Sequence, residues 1–514
     1  MTGGGRACGL LLHPTALPGP GACGSFGAAA RDWIDLLCRE GVEVWQVLPL
    51  APTDGTGSPY SSPSDSALNP WLIDAEELLA AGLIESGDLE RLAGHHGGRL
   101  DADLAGERSA ALARALRQRW PQLPPSQQRR FTAWCRRHAW IRDHCRYMVL
   151  RRLHGGRAWW EWPDPLAQRH RSALRQLDRD QRDALLEEAL LQWQLEAQWR
   201  QLRHRAGERG VRILGDLPFY VAHDSCDVWR HPHLFSLGAA GTLERQSGVP
   251  PDYFSATGQL WGTPVYRWWR HVISGFRWWL RRLERQLELF DLLRLDHFRA
   301  LEAYWSVPGG DDTAERGHWC RSPGDLLLAL LWLRRLLAGG LQADGRLPLI
   351  AEDLGVITPA VEALRDRFAL PGMKILQFAF DGNPENPYLP ANYEGSRWVV
   401  YTGTHDNATT LGWWRDMDDE GRARVASVVG GEVHAPGWQL LEVALASRAD
   451  LAVVPLQDLL QLGNEARFNT PGTTVGNWDW RLDRPIGEIA GPVHGYGAMA
   501  ARHRRGPAAA VTGG

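Results

Sequence analysis

Three short acidic segments carry the residues best suited to chemistry: Arg294-Leu295-Asp296-His297-Phe298-Arg299, Ala351-Glu352-Asp353-Leu354-Gly355 and Thr404-His405-Asp406-Asn407. Two carboxylic acids with a third nearby suit cleavage of a glycosidic bond: one attacks or stabilises a positively charged sugar and another gives a proton to the departing oxygen. On this reading Asp296 is the nucleophile, kept ionised by Arg294, which lies two residues away on the same side of a strand. Glu352 is then the proton donor, and Asp406 with His405 holds sugar hydroxyls through charge-assisted hydrogen bonds. Asp216, in Leu214-Gly215-Asp216-Leu217-Pro218, joins the same rim, either to bind another hydroxyl or to orient Arg294.

Each residue taken alone has a plainer reading. Asp353 or Asp216 suits a helix N-cap or turn, Arg294 with Asp296 a structural ion pair, and His405 a satisfied core histidine. Their joint occurrence after successive strands favours a common site. A metal-dependent hydrolase built on His13, Asp216, His405 and Asp406 would want two or three imidazoles where the first strand end supplies one, so no metal is expected.

The elements that must position these acids are short apolar runs directly before them, 290–293, 347–350 and 398–402, with the length and β-rich composition of buried parallel strands. Eight such runs can be marked, at 9–12, 42–48, 211–215, 290–295, 347–351, 374–380, 398–402 and 451–454, with helical patterns between several of them. The expected fold is α/β, a (β/α)8 TIM barrel whose chemistry sits at the C-terminal strand ends. About 160 residues separate the second and third runs, far more than a simple βα unit needs, so a large helical insertion is expected there. This divides the chain into strands one and two at 1–73, a helical subdomain at 74–210, and strands three to eight at 211–514 with further loop insertions over the C-terminal face.

One of those insertions, 248–262, reads as a lid-like loop on its glycines and prolines. It carries Tyr253, Phe254 and Trp261, aromatic faces that call for a ligand or a pocket to cap. Most of the 26 tryptophans, Trp332 and the Trp159-Trp160 pair included, are expected in the core, leaving Trp261 as the one with an argument for ligand contact.

Composition sets the remaining bounds. A chain of 514 residues with 44% hydrophobic and 23% charged content has ample material for a large core. A net charge of -3 without a basic stripe makes nucleic acid and anionic membranes poor partners. Seven cysteines without CxxC spacing argue against a disulfide framework and, with no leader pattern at the N-terminus, suggest the cytoplasm. The apolar run 326–341 is interrupted by Arg334 and Arg335 and is expected to form a buried amphipathic helix, begun at Ser322-Pro323 and stopped at Gly339-Gly340.

The chain resembles the amylomaltase (disproportionating enzyme) group of 4-alpha-glucanotransferases, glycoside hydrolase family 77. Besides the three acidic segments, the resemblance rests on 9–18, Ser58-Pro59-Tyr60-Ser61-Ser62-Pro63, 215–218, 250–262 and 469–478, and so spans nearly the whole length. It implies that Asp296 is the nucleophile, Glu352 the acid/base and Asp406 the transition-state stabiliser, with Arg294, His405 and Asp216 as further sugar-site residues. Ser58 and Tyr60 match positions lining the donor site, and Asp252, Phe254, Gln259 and Trp261 match a loop over the cleft. The implied reaction moves a 1,4-alpha-glucan segment to a glucose or maltooligosaccharide acceptor by double displacement, without a cofactor; the chain itself is expected as a monomer or weak homo-oligomer. A retaining alpha-glucan hydrolase is the competing reading, since the same acids serve when water replaces the acceptor. Ala300 departs from the family's usual glycine, and 21–27 from its more regular glycine-rich turn.

Overall fold

The computed structural model describes residues 5–90, 98–251 and 255–507. Eight parallel strands form one sheet: Ala7–Leu11, Val44–Gln46, Arg212–Leu217, Leu292–Leu295, Leu349–Ala351, Gly372–Ile375, Trp398–Tyr401 and Leu451–Pro455. Their hydrogen-bonded order is sixth, seventh, eighth, first, second, third, fourth, fifth, a parallel sheet curled into a nearly closed barrel. Each of the eight runs expected from sequence contributes one strand. Both faces of these strands are covered, which is why they read as continuous apolar runs instead of alternating ones.

The remaining seam, between the fifth and sixth strands, is bridged by the Ala351 N–H on the Pro371 carbonyl at 2.8 Å and by a side chain, Asp353. Its carboxylate accepts from the Met373 N–H at 2.7 Å and from Arg365 at 2.6 Å. Asp353 therefore serves the barrel wall. Gly372 is required opposite it, because a Cβ there would lie 2.5 Å from the Asp353 carboxylate.

Three expectations need correction. The sixth strand was expected at 374–380, but pairing covers Gly372–Ile375 and the chain then tightens into a 3-10 turn at Leu376–Phe378. An apolar run shows burial, not where a chain leaves its ladder. The segment 248–262 is not a loop along its length. Arg245–Val249 and Gln259–Pro264 pair as an antiparallel hairpin, part of a four-stranded sheet with Ala303–Pro308 and His318–Arg321. Gly248 permits this close pairing, since a Cβ would sit 2.2 Å from the Gln259 carbonyl. The helix at Gly324–Leu337 begins after Pro323 without a side-chain cap, is stopped by left-handed Gly339 and buries only one face, and Trp332 on it is exposed.

Between the second and third strands lie helices that include Ala102–Arg119, Pro125–Arg137, Ile141–Leu153 and Arg182–Glu208. The last of these returns the chain to the barrel. Trp199 on it is buried, donates its indole N–H to the Leu289 carbonyl at 3.0 Å, and packs 5.0 Å from Phe26.

Candidate active site

The three acids leave the barrel at the C-terminal ends of the fourth, fifth and seventh strands. Asp296 follows Leu292–Leu295 and is tied to the third strand by its N–H on the Leu217 carbonyl at 3.0 Å. Glu352 follows Leu349–Ala351 and is tied to the fourth strand by its N–H on the Leu295 carbonyl at 3.1 Å. Asp406 lies in the turn after Trp398–Tyr401, where the Asn407 side chain accepts from the Thr404 N–H and hydroxyl, both at 2.8 Å. Ladder bonds and the Asn407 side chain, which clasps the turn back to Thr404, thus fix all three backbones without help from a ligand.

Arg294 organises the floor. One of its nitrogens meets both Asp216 oxygens at 2.8 and 2.7 Å, and another meets Asp296 at 2.9 Å. Asp216 is only 1% exposed, so it has almost no surface to offer a sugar. Of the two tasks expected of Asp216, its contact with Arg294 matches the orienting one. Asp216 also accepts the Tyr60 hydroxyl at 2.7 Å, which links the loop after the second strand to the same arginine. Asp296 differs in that 30% of its side chain stays open.

The electrostatics separate the acids. Burial raises Asp296 to about 6 against the pull of Arg294, with Asp216 and Asp406 adding to the rise. Burial raises Glu352 further, to about 8, against Arg294 and with the charge of Asp296 behind it. Its Oε2 accepts the His297 N–H at 2.6 Å and its Oε1 the Leu354 N–H at 3.2 Å, so the carboxyl is aimed as well as perturbed. Burial would lift Asp406 too, yet His405 at 3.3 Å, the Asn469 amide at 2.6 Å and Arg294 together hold it well below the usual carboxylate range. One group is thus ready to give a proton near neutrality while another stays ionised, the division of labour that acid/base chemistry needs.

The other expected residues distribute unevenly. The Tyr60 ring stacks on His405, with centroids 5.1 Å apart and planes 12° apart, and Ser58 Oγ accepts the Tyr60 N–H at 3.3 Å. Trp261, on the second limb of the hairpin, meets the His297 ring edge-on at 4.8 Å, and its indole N–H points to Gln259 at 3.4 Å. Asp252 and Phe254 lie outside the described residues. His13, considered as a metal ligand, is buried with its Nδ1 unpartnered, and among the described residues no group of three His, Cys, Asp or Glu is arranged to hold a metal ion.

Three contributors had no role from sequence. Asn469 grips Asp406, Trp478 packs 5.8 Å from Tyr60 and 5.9 Å from His405, and His297 holds Glu352 through its backbone. Trp478 and His297 adopt left-handed backbones at φ 64° and 52°. Such strain in bulky residues persists only where surroundings over-determine it, which is a common property of functional sites. The signal for His297 was its place beside Asp296; for the other two, no local pattern reveals a partner more than 60 residues away. A depression of about 1210 Å³ lies between Gly98, Trp438, Glu465 and Arg484 and contains none of the three acids, so convergence of chemistry decides the site here, not size.

Acids at the mouth of a parallel barrel, their proton affinities pushed apart by burial and by the His405 and Asn469 contacts of Asp406, define a carboxylate-based barrel enzyme of the glycosidic-bond class. A family profile described as 4-alpha-glucanotransferase, glycoside hydrolase 77, matches residues 12–486. The 4-alpha-glucanotransferase of Thermus thermophilus is 46% identical over 503 residues, spanning 95% of this chain and 97% of its own. The chloroplastic/amyloplastic 4-alpha-glucanotransferase of Arabidopsis thaliana is 38% identical over 492 residues, with 93% and 81% covered. An amylomaltase from Streptococcus agalactiae, solved in complex with acarbose, superposes with a TM-score of 0.92 at 31% identity, covering 98% of this chain and 100% of that one. The chain belongs to the 4-alpha-glucanotransferase family.

Proposed function

We propose that this site moves a segment of a 1,4-alpha-glucan to the 4-hydroxyl of a glucose or maltooligosaccharide acceptor by a retaining double displacement. Asp296 attacks the anomeric carbon of the donor while Glu352 gives its proton to the departing glycosidic oxygen, leaving a glycosyl–aspartate ester. Glu352 then takes the proton of the acceptor hydroxyl, whose oxygen displaces Asp296 and restores both groups. Asp406 and His405 bind hydroxyls of the reacting glucose, and Tyr60 and Ser58 line the donor side. The observation that carries this reading is the Arg294 bridge: it holds Asp296 at 2.9 Å for attack while Glu352, pushed up to about 8, keeps its proton.

The direct test is the product ladder from maltotriose, followed with free glucose and total reducing ends. Transfer redistributes chain lengths with total reducing ends constant; a steady rise in reducing ends would establish the hydrolase reading instead. The hairpin enters here, since Trp261 beside His297 offers an aromatic face for an acceptor ring. Trp261→Ala is expected to lower the ratio of transfer to hydrolysis about fivefold, the worth of one ring contact.

A pH profile tests the acid/base pair. Asp296 must be ionised and Glu352 protonated, so kcat/KM falls as pH drops through about 6 and again as it rises through about 8. The two groups interact, so both limbs belong to the pair. Glu352→Gln should abolish the alkaline limb and retain activity only on donors with good leaving groups.

The substrates fitting this reading are maltooligosaccharides derived from starch or glycogen. Cytoplasmic work suits seven cysteines that are all unpaired. Among the described residues no helix is long and apolar enough to cross a membrane. The helices within 74–210 support the division of the chain into an inserted helical subdomain and flanking barrel segments.

A further inference from the structure

The helix Gly324–Leu337 sits in the outer ring of the barrel, between the fourth and fifth strands. Its inner face is Gly324, Leu327, Leu328 and Leu331. Helices on either side in the ring present charge outward: Arg277, Arg281 and Glu288 on Arg277–Leu289, and Glu362, Asp366 and Arg367 on Pro359–Arg367. This helix instead presents Leu326, Leu333, Leu336 and Leu337, the last 80% exposed, with Trp332 at the edge. Leu326, Leu330, Leu333 and Leu337, of which Leu330 is half-buried against the core, follow one another at spacings of four, three and four residues, the spacing of a two-helix coiled-coil seam. A surface helix with apolar residues on both faces calls for a partner on each.

We propose that this stripe is the self-association surface of the chain, pairing antiparallel with the same stripe of a second copy about a two-fold axis near Leu330 and Leu333. A 4-3-4 seam maps onto itself under that operation, as an isologous contact requires. The charges at its rim are already neutralised within the chain: Arg334 is bound to Glu284 at 2.8 Å and Asp325 to Arg367 at 2.6 Å. They offer little to an anionic membrane or a charged partner. The exposed side chains leave on the order of 500 Å² of surface open per copy, so two apposed stripes remove roughly 1,000 Å² from water, the lower edge of specific interfaces. The pairing is therefore weak and concentration-dependent. It also uses the flank of the barrel and leaves the mouth, with Asp296, Glu352 and Asp406, free for long glucans.

Sedimentation velocity of the full chain over a concentration series tests this independently of the reaction. The expected result is a reversible monomer–dimer equilibrium that Leu333→Glu with Leu337→Glu weakens at least tenfold, with specific activity unchanged. Ile273→Glu, at another exposed apolar residue, should leave the equilibrium intact. Mixing Leu333→Glu with Leu333→Lys should restore dimers, as a seam near the two-fold axis demands. A chain that stays monomeric throughout, a dimer that survives the double substitution, dissociation by Ile273→Glu alone, or failed charge rescue overturns the proposal. So does stripe-dependent binding of the monomer to vesicles of mixed phosphatidylcholine and phosphatidylglycerol, which would make the occupant a bilayer.

Discussion

Asp296→Asn is expected to lower turnover on maltotriose by about four orders of magnitude while leaving its binding within about threefold, since an amide neither attacks carbon nor leaves as a carboxylate. The separation of the two effects follows from the geometry. Tyr60, His405 and Asp406 are held by contacts that do not involve Asp296: the Asp216 carboxylate, the Tyr60–His405 stack and the Asn469 amide. Arg294 keeps Asp216 as a partner when Asp296 loses its charge, so no cation is left unpaired. Calorimetry on the variant reads the binding and a product ladder reads the turnover. Turnover within tenfold of the parent would sink the assignment of Asp296 as nucleophile. Loss of binding in parallel with turnover would mean that the substitution had disturbed the donor side instead.

The sequence spoke most clearly where chemistry is local. Arg294 and Asp296 share one side of one strand, so their 2.9 Å pairing follows from a period of two. The barrel was legible because strands covered on both faces must be continuous apolar runs, and eight of them with intervening helices leave few alternatives. Asp353 shows the limit. Beside Glu352 it has the same residue type and the same strand end, yet it faces Arg365 and the Met373 N–H and closes a seam. Side-chain direction after a strand depends on the turn that follows, and composition does not encode it.

Hairpin 245–264 shows a second limit. Glycine and proline mark its irregular stretch, but Arg-Gln-Ser-Gly-Val has no apolar alternation, because the limb is specified by pairing with Gln259–Pro264 and Ala303–Pro308 more than by its own face. The exposed stripe of Gly324–Leu337 is a third case. Apolar residues all round argue for burial, and the barrel supplies cover for one face only. Asn469 was invisible in its role for another reason: it reaches Asp406 across 63 residues, and nothing in either segment names the other.

Asp216 is where position and charge can be told apart. Only 1% exposed and bonded to Arg294 and Tyr60, it is placed to act through them. Asp216→Asn is expected to destabilise the fold by about 3 kcal/mol, because it removes one partner of a buried ion pair. It should also lower kcat about a hundredfold, the cost of a small misplacement of the attacking group. A purely structural role would predict the first effect and a proportionate loss of active enzyme, with the pH profile unmoved. The positioning role predicts a shift. The Asp216 charge helps to raise Asp296, and it shares Arg294 with it. Removing it leaves the whole guanidinium to Asp296 and takes away a repulsion, so Asp296 ionises more readily. The acid limb of kcat/KM therefore moves to lower pH in Asp216→Asn, measured on the folded fraction at a temperature well below its unfolding midpoint. An unmoved or raised acid limb would show that Arg294 holds Asp296 without regard to Asp216. Tyr60→Phe, which removes only the hydroxyl at 2.7 Å, serves as the control: it should cost about 1 kcal/mol and leave the acid limb close to the parent's.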